Sequence, residues 1–201
     1  MDHFFQQVLS IFILLFSVIC HEFAHGYAAL TQGDDTANLS GRLTLNPLVH
    51  IDPIGSLVVP ILLIITRSPF IIGWAKPVPV NPLRFRDMDR GTVIVSAAGA
   101  VSNILLGLAF SIAFRIAHGN PIFLLGVTIN FWLAFFNLLP IPPLDGSKIL
   151  SVFLPYKWKW SYLAWEKYGM FIILGLLYTG LLGFVLSPAV NNLLKLVTGL
   201  R

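Results

Sequence analysis

From Phe4 to Cys20 the chain reads FFQQVLSIFILLFSVIC, an uncharged run close to the about 20 apolar residues that cross a hydrocarbon core. It passes without a break into HEFAHGYAAL, so the pattern predicts one helix over about residues 4 to 30. TQGDDTANLSG ends it with Gly33, Asp34, Asp35 and Gly41. Between Asn38 and Asn46 polar Asn38, Ser40, Arg42, Thr44 and Asn46 alternate with Leu39, Leu43 and Leu45, a two-residue period that predicts a strand. The apolar stretch from Ile54 to Trp74 is interrupted by Pro60 and by Arg67, Ser68 and Pro69, and the proline-rich basic stretch KPVPVNPLRFRDMDR follows as a loop. Spanning helices are expected from Thr92 to about Ile116 and from Ile122 to Leu139, with a tight turn at Ala117 to Pro121 between them. The prolines of PIPPLDG close the second of these. A last span is expected from about Leu163 to Leu186, and Ser187-Pro188 opens a short terminal segment.

Composition sharpens this map. Of 201 residues 56% are hydrophobic and 11% charged, the balance of an integral membrane protein. With no polar block large enough for a soluble appendage, residues 1–201 are expected to form a single membrane-embedded domain. The first apolar run lacks a basic leader and a small-residue cleavage site, so it is expected to be a retained helix. In a membrane the net charge of +4 bears on orientation, and nucleic acid is not an expected partner. The single Cys20 excludes an intramolecular disulfide and reads as a small buried hydrophobe.

His21, Glu22 and His25 give the chain its chemistry. Residues four apart share a helix face, so both histidines can reach one metal ion while Glu22 is placed to take a proton from a water that the metal activates. In a soluble helix such a match is weak evidence. Inside lipid the burial of three ionisable groups costs several kcal/mol unless they are satisfied, which favours a functional reading over a polar cluster that glues helices.

A catalytic zinc site needs a third protein ligand and leaves its fourth position to water. The candidates are Asp145, His50, Asp52 and His118, while Asp34 and Asp35 are expected to turn to solvent in their short loop. His118 follows the far end of its apolar run, and His50 and Asp52 lack a scaffold. Asp145 sits in NLLPIPPLDGSKIL, where Pro140, Pro142 and Pro143 forbid a regular helix and Gly146 permits a sharp turn. The residues alone leave two readings: a scaffold for one carboxylate, or an ordinary turn in which Asp145 caps the next segment. Asn103, between Gly99 and Gly107 on one helix face, also has two readings, a functional amide or glue in a small-residue seam, and so does Asn137.

Together, HEFAH in the first helix, AAGAVSN in a middle helix and NLLPIPPLDG after the next resemble, in order and spacing, the three signatures of the site-2 protease family of intramembrane zinc metalloproteases. GWAKPVPVNPLRFR resembles a loop of its small prokaryotic members, and the likeness covers about residues 15 to 150. The resemblance implies Zn2+ held by His21, His25 and Asp145, Glu22 as the catalytic base, and Asn103 and Asn137 near the substrate backbone or the developing oxyanion. It also implies a transmembrane protein or peptide as substrate. Ala100 stands where the family's middle motif usually has proline, and the regulatory domain of larger members is not expected within these 201 residues.

Two other functions fit parts of the pattern. A zinc hydrolase of a lipid or a lipidated peptide would need the same residues, and a membrane metal transporter would spread such residues along a pathway. Here they converge on one HExxH.

Because metal ligands must meet, the chain between His25 and Asp145 is expected to cross the membrane an even number of times. The spans at 92–116 and 122–139 supply two, so residues 54–74 are expected to be re-entrant or interfacial. The expected fold is therefore an all-α polytopic membrane protein with about four transmembrane helices, that segment, and a short β-strand region on the cytoplasmic side, offering an edge for an extended substrate. Arg42, Arg67, Lys76, Arg84, Arg86, Arg90, Lys148, Lys157 and Lys159 fall on the active-site side, against Arg115, Lys195 and Arg201 on the other. The positive-inside rule then places the active site at the cytoplasmic face of the cell membrane, with Tyr156, Trp158, Trp160, Tyr162 and Trp165 at that interface and both termini outside.

Overall fold

The structure is a computed structural model, which describes residues 3–66 and 75–200. Helix α1 spans His3–Gln32, α2 Thr36–Leu39 and α3 Val59–Ile65. Helix α4 spans Met88–Ile116 and α5 Pro121–Asn137. They are followed by α6 Asp145–Phe153, α7 Tyr156–Leu163, α8 Glu166–Tyr178 and α9 Leu181–Thr198. Three of these are long and apolar enough to cross a membrane, over Val8–Gln32, Met88–Ile116 and Leu181–Thr198. At 17 residues, apolar α5 is shorter, so three candidate spans stand where about four were expected.

Helix α4 packs between α1 and α5, and α9 covers α5. Asp87 caps α4 by accepting from the Arg90 amide, and Asn120 caps α5 by accepting from Ile122, which closes the turn at residues 117–120. The α4–α5 seam is reciprocal. The Phe131 ring fills the space over Gly107, and the Phe110 ring fills the space over Gly126. The sequence suggested a seam in which backbones approach; here aromatic rings occupy the gaps instead. Phe131, Val127 and Val190 are fully buried at the α5–α9 contact.

No strand occurs among the described residues, so the strand expected over Asn38–Asn46 is overturned. Its first residues belong to α2, and the rest turn. Thr44 Oγ1 accepts from the Asn46 amide and Asn46 Oδ1 from the Leu48 amide, so short polar side chains satisfy backbone that a ladder would have used.

The last span also differs from expectation. Gly180, at φ 73°, breaks the run between α8 and α9, and α9 continues through Pro188 to Thr198. The crossing segment is thus 181–198, and the expected terminal segment is part of it. In the interrupted apolar stretch Pro53–Val58 is π-helical and α3 follows, while residues 67–74 of the re-entrant expectation lie outside the described residues.

Candidate metal centre

Helix α1 brings His21 and His25 to one face, as their spacing dictates, and α4 runs antiparallel beside it. Ser17 therefore faces Asn103, His21 faces Gly99, and His25 faces Val95. Asp145 arrives from the other side of the fold. After α5 the chain folds through Leu138–Leu144, where the Ile141 amide donates to Leu139 and the Leu144 amide to Ile141, and Asp145 begins α6. The backbone of Leu138 passes so close to Gly146 that any side chain there would clash, and Gly169 of α8 meets the Pro142 carbonyl in the same way. Tyr162 donates its hydroxyl proton to the Pro140 carbonyl at 2.8 Å. The proline turn is thus clamped on both sides, with Asp145 5% exposed.

His21 Nε2, His25 Nε2 and Asp145 Oδ2 converge. The two nitrogens are 3.0 Å apart and lie 3.2 and 3.0 Å from the carboxylate oxygen. Both imidazoles are committed at the opposite nitrogen: His25 Nδ1 donates to the Val95 carbonyl at 2.7 Å, and His21 Nδ1 to Asn103 Oδ1 at 2.6 Å. A neutral imidazole protonated at Nδ1 presents a lone pair at Nε2. Three lone-pair atoms then face one another in a buried space, a repulsive arrangement without a cation and the donor set of a three-ligand zinc site. Ligands about 2.0–2.1 Å from a tetrahedral centre lie about 3.3 Å apart, close to the spacing here. A Cβ on Gly99 would fall 2.5 Å from both Nε2 atoms, so the absence of a side chain at that position keeps the space open. His21, His25 and Asp145 are the group among the described residues that is able to hold a metal ion.

Glu22 stands beside this group. Its Oε2 accepts from the Val78 amide at 2.7 Å. Residues 75–81, without regular secondary structure, are pinned along α1 by that bond, by the Lys76 amide on the His50 carbonyl at 2.8 Å and by the Asn81 amide on Asp34 Oδ2 at 2.6 Å. A cavity of about 620 Å³ opens here, lined by His21, Glu22, His25, Asp145 and Asn137 together with apolar Pro77, Val78, Val80, Phe85, Leu144 and Met170. Lys148 Nζ, 3.2 Å from Asp145 Oδ1, and Glu166 stand at its wall.

The remaining candidates have other occupations. His50 is buried and its Nε2 donates to the Thr44 carbonyl, Asp52 Oδ1 accepts from the Ile54 and Gly55 amides, and His118 is exposed in the turn after α4. Asp34, expected in solvent, is fully buried and accepts from Asn81 and Thr36, while Asp35 pairs with Arg84. Burial pushes the Asp34 carboxyl up, but the Asn81 amide, the Thr36 hydroxyl and amide and the Arg84 charge outweigh it and hold the group below its ordinary range. Asn137 faces the cavity, with its Nδ2 donating to the Leu133 carbonyl. Asn103 stands behind His21 and is absent from the cavity lining. Asn130 of α5, which the sequence reading passed over, is fully buried against Asn103; its one signal is an amide inside the apolar run VTINFWLAFF.

Comparisons with known proteins identify the family. Residues 113–178 match the model of Peptidase family M50. YwhC of Bacillus subtilis is 36% identical over the full length of the chain and 98% of its own. Rip2 of Mycolicibacterium smegmatis is 30% identical over 92% of the chain and 71% of its own length. MJ0611 of Methanocaldococcus jannaschii is 35% identical over 42% of each chain. All three carry the name "Putative zinc metalloprotease". No solved structure matches the chain significantly. With HExxH and Asp145 gathered in a membrane helix bundle and a full-length relative of this kind, the chain belongs to peptidase family M50, the site-2 protease family of intramembrane zinc metalloproteases.

Proposed function

We propose that this chain hydrolyses peptide bonds in transmembrane segments of other membrane proteins, with His21, His25 and Asp145 holding zinc and Glu22 as general base. The observation that carries the assignment is the convergence of three lone-pair atoms within 3.2 Å of one another, with each imidazole fixed from behind. Zinc held there supplies a Lewis acid that makes water acidic near neutral pH and polarises a carbonyl. Glu22 accepts the proton as water attacks the peptide carbon, then hands it to the leaving amine. The Val78 amide orients one carboxylate oxygen and leaves the other for that transfer.

Asn137, on the cavity wall, is positioned to donate to the developing oxyanion once its amide leaves the Leu133 carbonyl. A neutral donor suits the site because it adds no buried charge. The substrate must arrive extended, because a helix keeps its carbonyls in internal hydrogen bonds. The cavity beside residues 75–80 offers the apolar walls such a segment needs. An inactive Glu22→Gln protein should retain membrane peptides that the active protein releases as fragments. Capture of lipids alone would point to a different hydrolase.

The charges support an orientation. Arg42, Lys76, Arg84, Arg86, Arg90, Lys148 and Lys159 cluster toward the metal end of the bundle, whereas Arg115 and Lys195 lie at the other. By the positive-inside rule the metal end faces the cytoplasm and both termini lie outside.

A further inference from the structure

Behind His21 lies a chain of amides whose direction is fixed at both ends. Asn130 Nδ2 donates to the Gly126 carbonyl at 2.9 Å. A backbone carbonyl only accepts, so the nitrogen of Asn130 must point there and its Oδ1 must point to α4. That oxygen receives Asn103 Nδ2 at 3.0 Å, and the same nitrogen donates to the Ser17 carbonyl at 3.3 Å. Two acceptors therefore claim the nitrogen of Asn103, and its Oδ1 can face only His21 Nδ1, at 2.6 Å. Both asparagines are fully buried.

We infer that Asn130, acting through Asn103, is a positioning residue that fixes His21 as the tautomer protonated at Nδ1 and so sets the metal affinity of the site. With Asn103 oriented in this way, a His21 proton on Nε2 would leave an oxygen lone pair and a nitrogen lone pair opposed at 2.6 Å. The relay therefore keeps the Nε2 lone pair for the metal and holds the ring in register. It also spans α1, α4 and α5, so the site assembles only when all three helices are packed. Histidine ligands depend on such partners, whose loss costs about 10- to 100-fold in metal affinity or activity. Buried amides are costly in an apolar helix unless they are hydrogen-bonded, and Asn103 and Asn130 both donate through Nδ2. His25 needs no such relay, because a backbone carbonyl holds it directly.

The inference rests on the reading that His21, His25 and Asp145 hold zinc. The test uses the full-length protein in detergent, with zinc affinity read by competition with a chelator and ligand geometry by the visible spectrum of the Co2+-loaded form. Asn130→Leu keeps the branching at Cγ and removes the relay with added bulk; Asn130→Ala removes it with the opposite packing change. Both should bind zinc about 10- to 100-fold more weakly than wild type and shift the Co2+ bands. Ser111→Ala, at a buried α4 hydroxyl that bonds only its own helix at Leu108, should change neither. If either Asn130 variant folds and keeps wild-type zinc affinity and an unshifted spectrum, Asn130 is only interhelical glue and the inference fails. In parallel, His25→Ala should lose the metal. Zinc retained in that variant would overturn the site itself and the inference with it.

Discussion

His25 and Val95 face each other across the first two long helices, with the imidazole Nδ1–H on the Val95 carbonyl at 2.7 Å. That bond uses a carbonyl of α4, which an N–H four residues on also claims in a regular helix, and it fixes which nitrogen of His25 faces Asp145. One turn further along α4, Gly99 leaves room beside both metal-facing nitrogens. The metal-facing side of α4 is thus shaped by a backbone carbonyl and a missing side chain.

Gly99→Ala separates helix stability from site geometry. Intrinsic propensity favours alanine in a helix by about 1 kcal/mol. The added Cβ would sit 2.5 Å from both Nε2 atoms, however, and overpacking typically costs about 1–3 kcal/mol. The variant should fold, bind zinc at least about tenfold more weakly by chelator competition, and lose most activity. Unchanged zinc affinity would mean that the metal does not sit against α4.

Val78→Pro removes the amide that holds Glu22, in a segment already flanked by Pro77 and Pro79. A hydrogen bond to a charged group contributes about 1.5–3 kcal/mol, so kcat should fall by about tenfold or more, with zinc content unchanged. A kcat equal to wild type would show that Glu22 needs no such orientation.

Asp34 locks the loop that carries Val78. Asp34→Ala leaves the Asn81 and Thr36 amides without their carboxylate partner, at a cost of about 1–3 kcal/mol, and should make residues 75–86 more readily cleaved by added protease. The native carboxyl is held below its ordinary value, so its contribution is fully present above about pH 4 and is lost as pH falls from there through the native value. Protease sensitivity of the wild-type loop should therefore rise below about pH 4 and stay flat between pH 5 and 7. A flat profile down to pH 2 would remove Asp34 from that role.

Much of the site is legible in the sequence because its spacing is tied to helix geometry. His21 and His25 share a face wherever that helix forms, and the prolines before Asp145 announce an irregular turn with a reason to exist. Asn130 is different. A lone amide in an apolar run has no period, and only the approach of α4 shows which carbonyl and which amide it joins. The expected strand failed because Thr44 and Asn46 bond nearby backbone, which alternation alone does not reveal. The last span was misplaced because no charge interrupts residues 168–194, and the break depends on the left-handed conformation of Gly180. Asp34 was misread for a similar reason: only the return of Asn81 buries it.

The orientation is tested by thiol labelling of intact cells in a Cys20→Ala background. A cysteine replacing exposed His118 should react with an impermeant reagent, and one replacing exposed Leu83 should not. The opposite pattern would place the metal end outside.

The most direct test of the central assignment is zinc per chain, measured together with cleavage, in wild type, Glu22→Gln and Asp145→Ala. Wild type should hold about one zinc, as a three-ligand site requires. Glu22→Gln should keep that zinc and lose cleavage, and Asp145→Ala should lose both. Full zinc occupancy in Asp145→Ala, or full cleavage by Glu22→Gln, would contradict the account.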